Sequence, residues 1–271
     1  MTTPKNKAKI GITGASGVLG TILCDKLKSS GVDFSCFKGD LRSKSDIAQW
    51  LEGGSLDKII HFGAIVPTKE VCENPLDAFD VNVSGTINLL LELKKTFGKK
   101  WFFYASTSHV YKSSTVPIDE NAVLEPVSLY GKTKLMAEIA AREAGKVEKY
   151  NFKVCTGRIF SFYHDTQKPP FLYPTILKRL REEDLSKDFF LRGANSVRDF
   201  LNAQDVVDII IKLMEKESEG IFNIASGKGV KIEDFVRKLS PHPLKITTDD
   251  SKDYLVANID KLKKELGLNN G

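Results

Sequence analysis

A doubly wound parallel α/β sheet, with a smaller α/β lobe appended at its C-terminal end, is the fold class that three observations predict. Short apolar runs alternate with helix-period segments through the first half of the chain. A glycine-rich turn, GITGASGVLG, joins the first apolar run to the first amphipathic segment. At 271 residues the chain is long enough for one large domain with a lobe and too short for two independent enzymes.

Taken in order, strands are predicted over 9–13, 33–37, 58–62, 101–106 and 153–159, and helices over 18–29, 44–52, 75–97 and 128–150. KIGIT and FSCF are short apolar runs of strand length. Gly31 and Gly98 fall where helices must stop before the next strand. After 159 the alternation breaks into the aromatic, proline-rich FSFYHDTQKPPFLYP. A helix near 175–183, a strand-like FFLRG, a charged turn SVRDF, a helix over 203–215, a strand over 221–224 and two small amphipathic pieces follow. This places a dinucleotide-binding domain over 1–160 and a substrate lobe over 161–271, intertwined because no flexible linker divides them.

Composition excludes several classes. Hydrophobic content of 41% and charged content of 28% are those of a soluble globular protein. The net charge of +5 is carried by scattered lysines, which read as solvated helix ends and turns and not as a nucleic-acid surface. Cys24, Cys36, Cys72 and Cys155 lie far apart along the chain without a C-x-x-C pair, and there are only four histidines, so no metal site is expected. The polar start MTTPKNKAK has no signal-peptide pattern, and no apolar run reaches membrane-spanning length. A reducing, cytoplasmic setting is the expectation.

The glycine turn carries the first functional reading. Gly14, Gly17 and Gly20 permit a tight turn, while Ser16, Val18 and Leu19 sit at a helix N-terminus whose free N–H groups suit a pyrophosphate. This is the Rossmann arrangement, and it calls for an acid near the end of the second strand to hold the adenosine ribose. Asp40 is the one acid at that distance, followed by Leu41 and flanked by Lys38 and Arg42, two bases that suit a 2′-phosphate. NAD and NADP are both open. Phe62, Gly63 and Ala64 end the next strand with small residues where a cofactor can pass, and His61 before them reads as a packing residue.

YGKTK, residues 130–134, carries the second reading. Residues four apart share a helix face, so the Tyr130 hydroxyl and Lys134 ammonium can enter one site. A nearby cation lowers a phenol pKa that is ordinarily about 10 and makes the tyrosine usable in proton transfer.

Together TGASGVLG, HFGA, NVSGTINLL, YASTSHVY and YGKTK resemble, in order and spacing, the extended short-chain dehydrogenase/reductases. Within them the chain resembles the NAD-dependent epimerase/dehydratase group that modifies nucleotide sugars. The resemblance covers about residues 8–267. It implies Thr107, Tyr130 and Lys134 as catalytic residues, with Ser106 and Ser108 as alternatives for the hydroxyl. Thr107 would orient the sugar hydroxyl or ketone, Tyr130 move the proton, and Lys134 hold the nicotinamide ribose. Ser108 and His109 stand where sugar 4,6-dehydratases carry an Asp-Glu pair, so dehydration is not expected. The implied reaction is a 4-ketoreductase with Tyr130 as proton donor, the 4-epimerase with retained NAD being the alternative. A non-catalytic dinucleotide sensor is a third reading, against which the presence of both Tyr130 and Lys134 counts.

In the lobe, GRIFSFY and SVRDFLNAQDV resemble family segments that place Ser161 and Arg198 on the substrate, together with Ser108 and His109 after Thr107. Arg198 is implied as a phosphate contact, with Asp199 or Asp205 as its structural rivals. FNIASG puts Asn223 in a lobe-shaping turn. Where relatives carry an Arg-Pro-Gly segment, Ser251-Lys252-Asp253-Tyr254 stands instead. The resemblance also implies a homodimer through the two long helices.

Overall fold

The computed structural model describes residues 9–53, 55–66 and 68–268. The polar segment read as free of a targeting signal lies, for residues 1–8, outside the described residues. The chain runs β1 (Lys9–Thr13), α1 (Val18–Ser29), β2 (Phe34–Cys36), α2 (Lys44–Glu52), β3 (Leu56–His61), α3 (Thr68–Glu73), α4 (Pro75–Phe79), α5 (Gly85–Leu93), β4 (Lys100–Thr107), α6 (Leu129–Gly145) and β5 (Phe152–Ile159). It continues through β6 (Ser161–Tyr163), α7 (Leu172–Glu182), β7 (Asp188–Phe190), β8 (Val197–Asn202), α8 (Ala203–Glu215), β9 (Gly220–Ile224), β10 (Gly229–Lys231), α9 (Ile232–Leu239), β11 (Lys245–Thr247), β12 (Tyr254–Leu255) and α10 (Asp260–Leu266).

The main sheet has the order β2-β1-β3-β4-β5-β9, and every pair in it is parallel. Its two faces are covered separately. In β4 alternate side chains feed the two layers: Trp101 and Phe103 pack with α1 and α8 residues such as Leu23 and Val207, whereas Phe102 and Tyr104 pack with α2, α5 and α6 residues such as Ile47, Leu89 and Ala137. Burying each such aromatic is worth about 2 kcal/mol. The order in which strands are added reverses between β1 and β3, and the carboxyl ends of the strands at that point are where ligands of such sheets sit. The lobe is built on β8, paired with β10, β12 and β6.

Several expectations are corrected. The single helix over 75–97 is three pieces: α4 starts with Pro75 at its N-terminus, Asp80–Ser84 widens into a π-turn, and α5 ends at Leu93. The widening has a visible cause. Asn82 turns inward, its Oδ1 accepting from Ile65 N at 2.7 Å and its Nδ2 donating to Ile65 O at 2.9 Å. The helix over 128–150 stops at Gly145, leaving one 3-10 turn at Glu148–Tyr150. SVRDF is not a turn but the start of β8, because Asp199 is satisfied inside the lobe by Ser226 N and Gly227 N, both at 2.8 Å. Cys24 and Cys36, distant in sequence, are neighbours with their sulfurs 3.7 Å apart.

Candidate active site

At the carboxyl end of β1 the chain turns through Gly14 at φ +70°, a left-handed conformation that glycine accepts freely. A Cβ there would lie 2.6 Å from Gly63 N, so the turn and the end of β3 touch backbone to backbone. Gly17 caps α1 without any side-chain bond, which leaves the first-turn N–H groups for a ligand. Ser16 and Gly17 are exposed, and Val18, Leu19, Phe62, Gly63 and Ala64 are half-buried around them. These residues fit a dinucleotide pyrophosphate.

The floor is a closed hydrogen-bond chain. Thr86 Oγ1 donates to Asn82 O at 2.8 Å and so accepts from His61 Nε2 at 2.9 Å. His61 Nδ1 then accepts from Thr13 Oγ1 at 2.6 Å, and Thr13 Oγ1 accepts from Gly63 N at 3.1 Å. Burial and the Lys134 charge push the His61 pKa down to about 3, so the ring is a neutral strut beneath Gly63.

The adenosine end differs from expectation. Asp40 is clamped by Arg42, whose Nε lies 2.9 Å from Oδ2 and whose Nη2 lies 2.7 Å from it. The bond to Arg42 holds the Asp40 carboxyl below its ordinary pKa. Arg42 also lies 3.7 Å from Asp77. The side chains of the Arg42–Asp40 pair are 49% and 42% exposed, so a 2′-phosphate would have to exchange for the Asp40 carboxylate to meet Arg42. Lys38 is exposed and has no ion pair among the described residues, and Leu41 is buried.

Thr107 ends β4, and Ser128 Oγ caps α6 by accepting from Gly131 N at 3.0 Å. The glycine of YGKTK has a job here: a Cβ on Gly131 would lie 2.4 Å from His109 O. The first turn of α6 therefore sits directly on the backbone that follows Thr107, and this brings Tyr130 close enough for the Thr107 hydroxyl to influence its phenol. Thr107 Oγ1 also accepts from His109 N at 3.3 Å. Ser106 is engaged elsewhere, donating to Glu138 at 2.6 Å, and Ser108 is buried. Thr107 is thus the hydroxyl that meets Tyr130.

Burial raises the Tyr130 pKa to about 12, with the Thr107 bond pulling the other way. Lys134 is buried on the same helix face. Its Nζ lies 4.4 Å from the Tyr104 ring centroid, and burial drives its pKa down to about 7 against the opposing pull of Glu138. The expected lowering of the Tyr130 pKa by Lys134 is corrected: desolvation of the phenol dominates, Thr107 and not Lys134 is what opposes it, and Tyr130 rests as a neutral phenol.

On the lobe side His109 is exposed, its ring edge-on to Tyr130 at 6.1 Å. Burial of its surroundings, then the Arg198 charge, lower its pKa, while Asp253 pulls upward. Arg198 pairs with neither Asp199 nor Asp205. Its Nη2 donates to Asp253 Oδ2 at 2.7 Å, and its Nη1 donates to Val197 O and Asp253 O at 3.0 and 3.1 Å. Ser161 opens β6 and is half-buried. Asn223 is buried, donating to Ile118 O and accepting from Tyr111, as a lobe-shaping residue would.

Sequence reasoning passed over two groups. Glu138, four residues beyond Lys134, is fully buried and bonded to Arg158 at 2.6 Å, which also donates to Tyr111 at 2.9 Å. Its helical spacing from Tyr130 and Lys134 was the available signal. Asp253 had only the departure from the family segment to mark it.

A six-stranded parallel sheet carrying a glycine turn, a Thr-Tyr pair and a buried lysine at the carboxyl ends of its strands defines an extended short-chain dehydrogenase/reductase. The family model described as GDP-mannose 4,6 dehydratase matches residues 17–266, and the chain belongs to that family. A UDP-glucose 4-epimerase of Pisum sativum is 26% identical, over 84% of this chain and 79% of the relative. The structure of MoeE5 in complex with UDP-glucuronic acid and NAD superposes with a TM-score of 0.84 at 21% identity, covering 97% of this chain and 95% of that one. RMD from Pseudomonas aeruginosa complexed with NADPH superposes with a TM-score of 0.85 at 23% identity, covering 98% and 93%.

Proposed function

We propose that this protein is a nucleotide-sugar 4-epimerase that oxidises and re-reduces one carbinol carbon and keeps its nicotinamide dinucleotide through the cycle. The observation that carries the reading is the placement of Tyr130 close enough to the Thr107 hydroxyl at the end of β4 to feel it, on the same helix face as buried Lys134. The pea relative, a UDP-glucose 4-epimerase, supports the epimerase sense. Ser108 and His109 in place of an acid pair argue against dehydration.

The first turn of α1, with Gly14, Ser16 and Gly17, would hold the pyrophosphate, and Phe62 to Ala64 would flank the ring. Bound there, the dinucleotide would take up the hydride and return it. Thr107 orients the reacting oxygen. In the oxidation half Tyr130 passes its phenol proton to Lys134, whose pKa near 7 lets it accept one, and takes up the carbinol proton. In the reduction half it gives that proton back to the ketone oxygen. Lys134, near neutrality, can share that proton or hold the ribose hydroxyls.

A second reading is the 4-ketoreductase with exchangeable NADPH. The resting phenol of Tyr130 suits the reductive direction, and exposed Lys38 suits a 2′-phosphate. The NADPH complex of the P. aeruginosa neighbour agrees with it. Purified protein offered UDP-glucose or UDP-galactose with no added cofactor should interconvert them. Turnover only of NDP-4-keto sugars with added NADPH would overturn the epimerase reading in favour of the reductase.

The assembly we propose is a homodimer through α5 and α6. Exposed Ile87, Met136 and Ile139, and an apolar groove lined by Leu90, Leu91, Ala140 and Ala144, support it. We assign the protein to a reducing compartment such as the cytoplasm. Four cysteines without a C-x-x-C pair suit such a compartment.

A further inference from the structure

Arg198 and Asp199 are adjacent on β8, and their side chains point to opposite faces. Asp199 is buried and consumed by the lobe, accepting from Ser226 N, Ser226 Oγ and Gly227 N at 2.6 to 2.8 Å. Arg198 faces the other way, and His109, whose ring lies 6.1 Å from that of Tyr130, feels the charges of both Arg198 and Asp253. His109 thus connects the surroundings of Arg198 with those of Tyr130.

The two halves of the Arg198–Asp253 contact differ in kind. Backbone carbonyls of Val197 and Asp253 hold Nη1, and those carbonyls cannot leave. Tyr254 is in register with Val197 in the β8–β12 pairing, Val197 N donates to Asp253 O at 2.8 Å, and Asp253 N donates to Ser196 Oγ at 3.1 Å. The Asp253 carboxylate is held by Arg198 alone among the described residues, and its side chain is 38% exposed. Rotation about its own side-chain bonds would release Arg198 and leave the guanidinium aimed as before. Three of the five guanidinium N–H groups are used, and the Nε–H and one Nη2–H have no partner among the described residues.

With the carboxylate in place the pair is neutral and offers a dianion no net attraction. With it rotated away, Arg198 presents a charged fork of the shape that phosphate oxygens accept. We propose that Asp253 is a specificity-determining residue, a built-in competitor that holds Arg198 until the diphosphate of the substrate exchanges for its carboxylate. This rests on the nucleotide-sugar reading above. Asp253 then weakens the grip on every nucleoside diphosphate and favours substrates whose sugar makes up the difference by its own contacts.

The test measures binding of UDP and of inorganic pyrophosphate to the full-length, cofactor-saturated protein. Asp253→Asn should bind both about tenfold more tightly, Asp253→Ser should move the same way, and Arg198→Gln should bind both at least tenfold more weakly. Unchanged or weakened binding in both Asp253 variants would overturn the proposal, and so would unchanged binding in Arg198→Gln. Turnover of UDP-hexose by the unaltered protein separates the two readings. Turnover with unchanged affinity in the Asp253 variants sinks the competitor and spares the nucleotide sugar. Tighter UDP without turnover of any nucleotide sugar does the reverse.

Discussion

Two arginine–carboxylate pairs, Glu138–Arg158 under the catalytic helix and Arg198–Asp253 in the lobe, have nearly the same length, 2.6 and 2.7 Å, and opposite roles. The first has side chains 0% and 1% exposed, and its remaining polar atoms are met by Ser106, Tyr111 and the Glu120 carbonyl. The second is 17% exposed on the arginine side and 38% on the aspartate side. Burial makes an ion pair rigid, because neither partner can leave without stranding a charge. Partial exposure makes the pair worth about 1 kcal/mol or less, and therefore exchangeable with a ligand. One pair fixes where Tyr130 stands; the other decides what can be held beside it.

The largest effect should come from breaking the rigid pair. Glu138→Ala leaves Arg158 buried without its anion and should cost about 3–5 kcal/mol in denaturant unfolding. Replacing both residues by Met should restore much of the loss, and a single variant of unchanged stability would erase the contrast between the two pairs. A smaller effect is expected where α6 rests on the turn after Thr107. Gly131→Ala forces a Cβ against the His109 carbonyl and should cost about 2 kcal/mol while lowering kcat, whereas the same change at exposed Gly53 should alter kcat little.

The third effect is a pH dependence from the sheet half, small near neutrality and growing only as the pH falls below about 6.5. His61 stays neutral in the fold down to about pH 3, but the unfolded chain takes up its proton below the ordinary 6.5. The unfolded state then binds more protons, so stability falls as pH drops from about 6.5 towards 3, by at most about 1.4 kcal/mol per pH unit. His61→Gln should flatten that part of the stability curve, and an unaltered slope would remove His61 from the account.

The sheet half was legible in the sequence because its signals are local. A glycine turn between strand and helix, a tyrosine and lysine four apart, and alternating apolar runs each declare their geometry within a few residues. The π-turn at 80–84 was not legible, because its cause is a contact from Asn82 to Ile65, 17 residues upstream. The Tyr130 ionisation was misjudged for a similar reason: spacing reveals a neighbouring charge but not the depth of burial opposing it. In the lobe, SVRDF looks like a turn when its charges are counted and becomes a strand once Ser226, Gly227 and Asp253 supply partners from far along the chain. Arg198 was legible as a site residue, and the carboxylate that holds it was not.

The most direct test of the central claim, that Tyr130 moves the proton in a hydride-transfer site, is the steady-state rate of Tyr130→Phe with cofactor affinity measured on the same protein. Loss of the hydroxyl should lower kcat about 10³-fold with dinucleotide binding unchanged. Turnover at the rate of the unaltered protein would contradict the assignment.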